Sequence, residues 1–299
     1  MDKRVLVTGA KGLIGKETLQ PLLNKGYEVY ALTTGEKPVD NIKWVQGNLF
    51  DSDKINPILS EIKPTHLLHL AWQTTGMFND NMNFDFLTAS IELLKSFKQR
   101  GGKKVVIAGT YVEYAESNEL LDEYTSTITP QHIYGKCKNY LREIAELYCL
   151  HNDIQFAWGR IFSAFGLEKD LRRLTGDVMN SLFNDKTVEI RSGSLIRDYI
   201  YSKDVANAFV EILDSDKNGI FNISTGKATS IKDYVLTIAR LMNKEHLVIF
   251  NEQASNQYKF VVGNNSRLVN EIGWQPKYTI EQALEEIIAL GKEKTYVKL

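Results

Sequence analysis

Two hydrophobic periods alternate along the chain. Short apolar runs at residues 4–7, 28–32, 42–45, 65–70, 104–108 and 155–160 read as buried strands. Between them, apolar residues recur at three- and four-residue spacings over 14–25, from Asp51 to near Lys63, over 83–100 and over 131–150, which predicts helices. Repeated alternation of strand and helix predicts an α/β fold of the Rossmann type, a doubly wound parallel sheet with helices on both faces. Residues 155–160 form its last long strand in this reading. Further helices are expected at 170–183, 202–213, 230–242 and from about 279 to 290. In such a sheet the ligand crevice lies at the carboxyl ends of the strands, where Gly9, Ala71 and Thr110 all sit.

The strand–helix junction at the start of the chain carries chemistry. It reads Thr8-Gly9-Ala10-Lys11-Gly12-Leu13-Ile14-Gly15. Gly9 permits the tight turn, Gly12 lets backbone approach a pyrophosphate, and Gly15 lets helix pack on strand. The helix N-terminus adds free N–H groups and the positive end of its dipole. The alternative is a glycine-rich turn without a ligand. The second strand then ends in Leu32-Thr33-Thr34-Gly35, with no acid until Glu36. An NAD site usually places a carboxylate there to hold the ribose 2′-hydroxyl. Thr33 and Thr34 suit a 2′-phosphate instead, with Lys11 and Lys37 within reach, so NADPH is expected over NAD. Lys11 is equally readable as a solvated lysine on an exposed turn.

Tyr134 and Lys138 are four residues apart and share one face of the helix over 131–150. A free tyrosine titrates near pH ~10. A neighbouring ammonium favours the phenolate and lowers that value, so the pair suits proton transfer to a substrate oxygen. The same spacing serves a surface tyrosine and lysine equally well.

Composition narrows the picture. The chain has 299 residues and a formal net charge of −1, which fits one large domain or two unequal ones and suggests neither a nucleic-acid nor a membrane surface. No apolar run reaches membrane-spanning length, and residue 1 leads straight into a strand without a signal peptide, so a cytoplasmic protein is expected. The two cysteines, Cys137 and Cys149, lack metal-ligand spacing and read as packed thiols; no metal is expected.

With these motifs in order, the chain resembles the extended short-chain dehydrogenase/reductases, the nucleotide-sugar epimerase/dehydratase family. The resemblance rests on the glycine turn, Ala108-Gly109-Thr110 with Glu113-Tyr114, Tyr134 with Lys138, Gly159-Arg160-Ile161-Phe162, Arg197-Asp198-Tyr199 and Gly273-Trp274-Gln275-Pro276. It implies Tyr134 as the acid-base, Lys138 as the lysine that lowers its pKa and holds the nicotinamide ribose, and Thr110 as the hydroxyl on the reacting oxygen. It also implies cofactor contacts from Leu13, Ile14, Asn48, Leu49 and Ala71. Residues 1–160 would then bind dinucleotide, and 161–299 would mainly form a substrate lobe, with some later segments returning to the first. Substrate contacts are expected from Trp72, Tyr111, Ser163, Arg172, Arg173 and Arg197, the last on a nucleotide diphosphate. Arg172 and Arg173, at an expected helix start where they oppose the dipole, face an anion or solvent; Arg197 alternatively forms a structural ion pair with Asp198.

The chain departs from the family at several positions. Ser163 replaces a common Asn, Asn48 replaces an adenine-contacting Asp, and no arginine stands near Asn256 or Gln257. Family dehydratases carry Asp-Glu directly after the Thr110 position; here Tyr111 and Val112 follow. Glu113, one place on, points away if strand alternation continues. The expected reaction is therefore NADPH-dependent reduction of the 4-keto group of a nucleotide-linked 4-keto-6-deoxysugar. The alternatives are C4 epimerisation with retained NAD, a non-sugar carbonyl reductase, and a non-catalytic cofactor-binding regulator. The resemblance also implies a homodimer through the helices at 83–100 and 131–150.

Overall fold

The computed structural model describes residues 3–38, 40–74, 78–167, 172–254 and 257–294. The first half runs β1 (Arg4–Thr8), α1 (Gly15–Asn24), β2 (Glu28–Thr33), β3 (Lys43–Gln46), α2 (Ser52–Ile62), β4 (His66–His69), α3 (Met82–Gln99), β5 (Lys104–Thr110), α4 (Ile133–His151) and β6 (Gln155–Ile161). All six strands pair in parallel, in the order β3-β2-β1-β4-β5-β6. Every residue of β5 is buried, as a central strand covered on both faces requires. Helices α2, α3 and α4 cover one face with Leu59, Phe97 and Leu141. On the other face, α1 brings Leu19 and Leu22 against Val5 and Val7. Local signals fix the ends: the Asp51 side chain accepts the Lys54 N–H at 3.2 Å and starts α2, and Lys63, in a left-handed conformation, ends it.

The second half runs β7 (Ser163–Phe165), α5 (Leu174–Phe183), β8 (Val188–Ile190), β9 (Ile196–Arg197), β10 (Tyr199–Tyr201), α6 (Ser202–Asp214), β11 (Gly219–Ile223), β12 (Thr229–Ser230), α7 (Ile231–Leu241), β13 (Val248–Phe250), β14 (Phe260–Val261), α8 (Ser266–Ile272) and α9 (Ile280–Lys294). Strand β6 is not the last of the sheet. β11 lies parallel beside it and makes seven strands, because α6 crosses beneath the sheet and packs Phe209 and Ile212 into the α1 side of the core. The five-residue run from Gly219 is too short to announce this in sequence. Leu268 of α8 and Trp274 join the same core. A separate cluster holds α5, α7 and α9 together through Met179, Tyr234, Ile238 and Leu284, with Phe165 and Tyr199 from the short strands.

Two boundaries move. The helix expected from Asp170 begins at Leu174; Asp170 itself lies outside the described residues, and Arg173 is the extended residue before the helix. Residues Tyr111–Glu113 form a 3-10 turn rather than continuing strand β5, so alternation does not set the direction of Glu113.

Candidate active site

A cleft of about 450 Å³ opens at the carboxyl ends of β1, β4, β5 and β6. Its floor at β1 is the glycine turn. Gly9 has φ +69°, and a β-carbon there would lie 2.8 Å from the Ala71 nitrogen. A β-carbon on Gly15 would sit 2.1 Å from the Gly9 carbonyl oxygen, and one on Gly12 would sit 3.1 Å from it. The turn therefore closes only with glycine at positions 9 and 15, and Gly9, Gly12, Leu13, Ile14 and Gly15 line the cleft. Helix α1 starts there without a side-chain cap; the Lys16 and Glu17 N–H groups donate to the Gly12 and Ile14 carbonyls, and the positive end of the helix dipole lies at the turn. These residues fit a dinucleotide pyrophosphate.

The opposite wall carries the reacting groups. Thr110, Tyr134 and Lys138 all line the cleft, together with Trp72, Tyr111, Ser163, Arg172 and Arg173. Tyr134 and Lys138 are brought there by the first two turns of α4, whose start is tied to the loop before α3 by the Tyr134 N–H donating to the Phe78 carbonyl at 2.8 Å. Lys138 donates from Nζ to the Ala108 carbonyl at 2.9 Å and stands 3.9 Å from the Trp72 ring centroid. Trp72 is itself held by its Nε1 donating to Asn83 Oδ1 at 2.9 Å and by stacking on Phe86.

Electrostatics here do not follow the simple expectation of a lysine lowering a tyrosine. Burial pushes the Tyr134 phenol above its ordinary value; the Thr110 hydroxyl and the Arg173 charge pull the other way and lose. Burial also pushes Lys138 down, to about 7, opposed by the charge of Glu113. A water-excluded pocket penalises the charged form of both groups, and that outweighs their neighbours.

The remaining expected residues lie elsewhere. Lys11 donates to the Glu36 carbonyl and stands 5.6 Å from the Trp44 ring centroid, beside the end of β2. Thr33 is buried, its hydroxyl accepting the Gly35 N–H at 3.2 Å, while Thr34 is exposed. Asn48 accepts the Phe50 N–H at 3.1 Å, and Leu49 packs into the core at α2. Ala71 is at the Gly9 approach and donates to the Thr8 hydroxyl at 3.2 Å. Arg197 is turned from the cleft lining: its guanidinium donates to the carbonyls of Ile196 and Tyr258 and to Gln257 Oε1. Its expected partner Asp198 instead accepts from Thr225, Gly226 and Gly263, although the Arg197 charge still reaches the Tyr111 phenol. Gln257 thus occupies Arg197; Asn256 lies outside the described residues.

Two residues at the site, Phe78 and Glu113, are given no site role by the sequence reading. Phe78, whose ring meets Tyr134 edge-on, sits in an aperiodic loop that offers no signal. Glu113 was legible: Thr110-Tyr111-Val112-Glu113 is a capping-box spacing, and the structure forms that box.

The sequence model of the NAD dependent epimerase/dehydratase family matches residues 5–224, and the chain belongs to that family. Among curated relatives, the dTDP-6-deoxy-L-talose 4-dehydrogenase (NAD(+)) of Aggregatibacter actinomycetemcomitans is 27% identical over 77% of this chain and 87% of its own length. The dTDP-4-dehydro-6-deoxyglucose reductase of Escherichia coli is 26% identical over 96% of this chain and 98% of its own. The UDP-glucose 4-epimerase of Thermotoga maritima, solved with UDP-glucose, superposes with a TM-score of 0.88 at 21% identity, covering 97% of this chain and 99% of that one. Among the described residues no helix is long and apolar enough to cross a membrane.

Proposed function

We propose that this protein is an NADPH-dependent reductase of the 4-keto group of a nucleotide-linked 4-keto-6-deoxysugar. The observation that carries the reading is the turn after Thr110. Tyr111 and Val112 line the cleft, while the Glu113 carboxylate is wholly buried and spent on Trp158 and Arg160. Water loss from a sugar needs a carboxyl pair beside the carbonyl; this cleft offers Tyr134 and Thr110 and no acid from the turn. Two curated relatives are named for oxidoreduction at C4 of 6-deoxysugars.

When bound, the nicotinamide supplies the hydride. Thr110 donates a hydrogen bond to the C4 carbonyl oxygen and orients it, and Tyr134 delivers the proton to that oxygen. Lys138 holds the nicotinamide ribose and offers positive charge as the phenolate forms. Arg172 and Arg173, at the mouth, face the diphosphate, for which a guanidinium is suited; Arg173 already reaches across to Thr74 Oγ1 at 2.8 Å. NADPH is favoured over NAD by Lys11, which reaches the Glu36 carbonyl, and by the exposed Thr34, with no carboxylate at the end of β2 itself. Residues 1–160 together with β11 carry the cofactor, and most of the rest carries the sugar. The exposed Tyr140, Ile144 and Leu147 of α4 and Phe84 of α3 form the face on which two copies pair.

Epimerisation at C4 uses the same three side chains, and UDP-glucose 4-epimerases of Rhizobium meliloti and related organisms are among the relatives, at 23% identity over 95% of this chain. The deciding experiment mixes purified protein with NADPH and a nucleotide 4-keto-6-deoxysugar and follows absorbance of the reduced cofactor. Stoichiometric oxidation with a new 4-hydroxy sugar is expected. Tightly held NAD in the purified protein, with two 4-hydroxy sugars interconverting and no net oxidation, would replace the reading with epimerisation.

A further inference from the structure

Beneath Thr110 lies a polar network that the reaction as described does not use. The Glu113 carboxylate is 0% exposed and Arg160 1% exposed. Three donors converge on Glu113: the Thr110 N–H at 2.9 Å, Trp158 Nε1 at 3.0 Å and Arg160 Nε at 2.8 Å. Arg160 is anchored in turn, donating to the Tyr114 hydroxyl at 2.9 Å and the Glu123 carbonyl at 3.2 Å, and Tyr114 donates to Asn222 Oδ1 on β11. A buried pair of this kind is weak ground for stability, since apolar residues of equal volume often serve as well. Its placement is more informative. Thr110 is the last residue of β5, and Lys138 is bonded to Ala108 two residues before it.

We propose that Glu113 is a positioning residue: its carboxylate pins the Thr110 main chain at the cleft and places a buried negative charge behind the end of β5, the strand to which Lys138 is bonded. Arg160 is the counterion that keeps this anion in the interior. The inference rests on the reading of Thr110, Tyr134 and Lys138 as the reacting groups. The titratable and charged groups around Lys138 are Glu113 in the turn, His69 on β4 and Tyr134 on its own helix; Arg160 on β6 lies behind Glu113, and Arg173 approaches from before α5. Burial holds His69 far below its ordinary value, so it is neutral. Glu113 is therefore the anion on hand, and its charge is what opposes the lowering of Lys138.

The test uses Glu113→Gln, which keeps an acceptor for the Thr110 N–H and removes the charge. Because the single change leaves a buried guanidinium unpaired, the pair Glu113→Gln with Arg160→Met is made beside it, with no charge stranded. The side-chain 13Cε resonance of Lys138, assigned with Lys138→Met, is titrated in the folded proteins without substrate. The midpoint is expected to fall by about one pH unit in Glu113→Gln and by a smaller but resolvable amount in the pair, where the opposing Arg160 charge is gone as well. In turnover, kcat should drop at least about tenfold with KM held within about threefold, and the alkaline limb of the pH profile should begin at lower pH. A folded variant whose Lys138 titrates at the wild-type midpoint overturns the proposal. If the wild-type protein turns over no 4-ketosugar, the proposed reaction fails while the titration still decides the role of Glu113.

Discussion

The Lys138 ammonium nitrogen lies 3.9 Å from the centroid of the Trp72 ring, in a pocket that excludes water. An aromatic face attracts a cation, but the loss of hydration is larger, and Lys138 is pushed down to about 7 from 10.5.

That depression fixes how stability depends on pH. Between pH 7 and 10.5 the unfolded chain binds a proton at this lysine that the folded chain does not. Stability therefore rises with pH across that window, and below it the full penalty is present. Lys138→Met removes the term. The variant should exceed the wild type in unfolding free energy, measured by urea titration at pH 6, by an amount on the order of a few kcal/mol, and the gap should close above pH 10. A gap that does not change with pH would mean Lys138 is not depressed in the free protein.

Tyr134→Phe keeps the ring that Trp72 and Phe78 pack against and keeps the main-chain tie to Phe78. It removes only the proton donor. Turnover should fall by at least about 10²-fold while the cofactor dissociation constant stays nearly unchanged. Retention of most of the turnover would take Tyr134 out of the mechanism.

Thr33→Asp places a carboxylate at the end of β2 while preserving an acceptor for the Gly35 N–H. Set against a 2′-phosphate it repels; set against a ribose 2′-hydroxyl it accepts. The ratio of NADPH to NADH dissociation constants, measured by fluorescence titration, should move at least about tenfold toward NADH. An unchanged ratio would show that this strand end does not read the 2′ position.

Leu147→Glu sets a charge in the exposed apolar stripe of α4, where Leu147 is 59% exposed. The wild type is expected to sediment as a dimer and the variant as a monomer with the same thermal midpoint. A monomeric wild type would leave this face without a second copy.

The parts of this molecule that depend on periodicity were legible in sequence. The alternation that gave β1 to β6 is forced by burial on both faces, and the glycine turn announces itself because nothing larger than hydrogen fits beside Ala71 and Gly9. What escaped depends on tertiary context. Strand β11 is five residues long and finds its place only through α6. Glu113 does point away from Val112's side, as expected, but a tight turn at Tyr111 and not strand alternation puts it there. The motif at Arg197 suits a diphosphate or a pair with Asp198, and neither reading supplies the two carbonyls and Gln257 to which its guanidinium donates in this structure. The electrostatics of Tyr134 and Lys138 were misjudged because spacing along a helix shows which groups are neighbours and not how much water they have lost.

The return of β11 to the edge of the sheet also governs how this chain can fold. Residues 155–161 cannot be capped until the ribosome has delivered residue 223, and until then β6 is a bare edge carrying Phe156 and Trp158. Such an edge is a template for pairing with another chain, and contacts this distant in sequence form late. A gene cut after Phe165 would yield not an independent nucleotide-binding half but a sticky fragment. Productive folding of this protein therefore depends on β6 staying unpaired until residues 219–223 arrive to cover it.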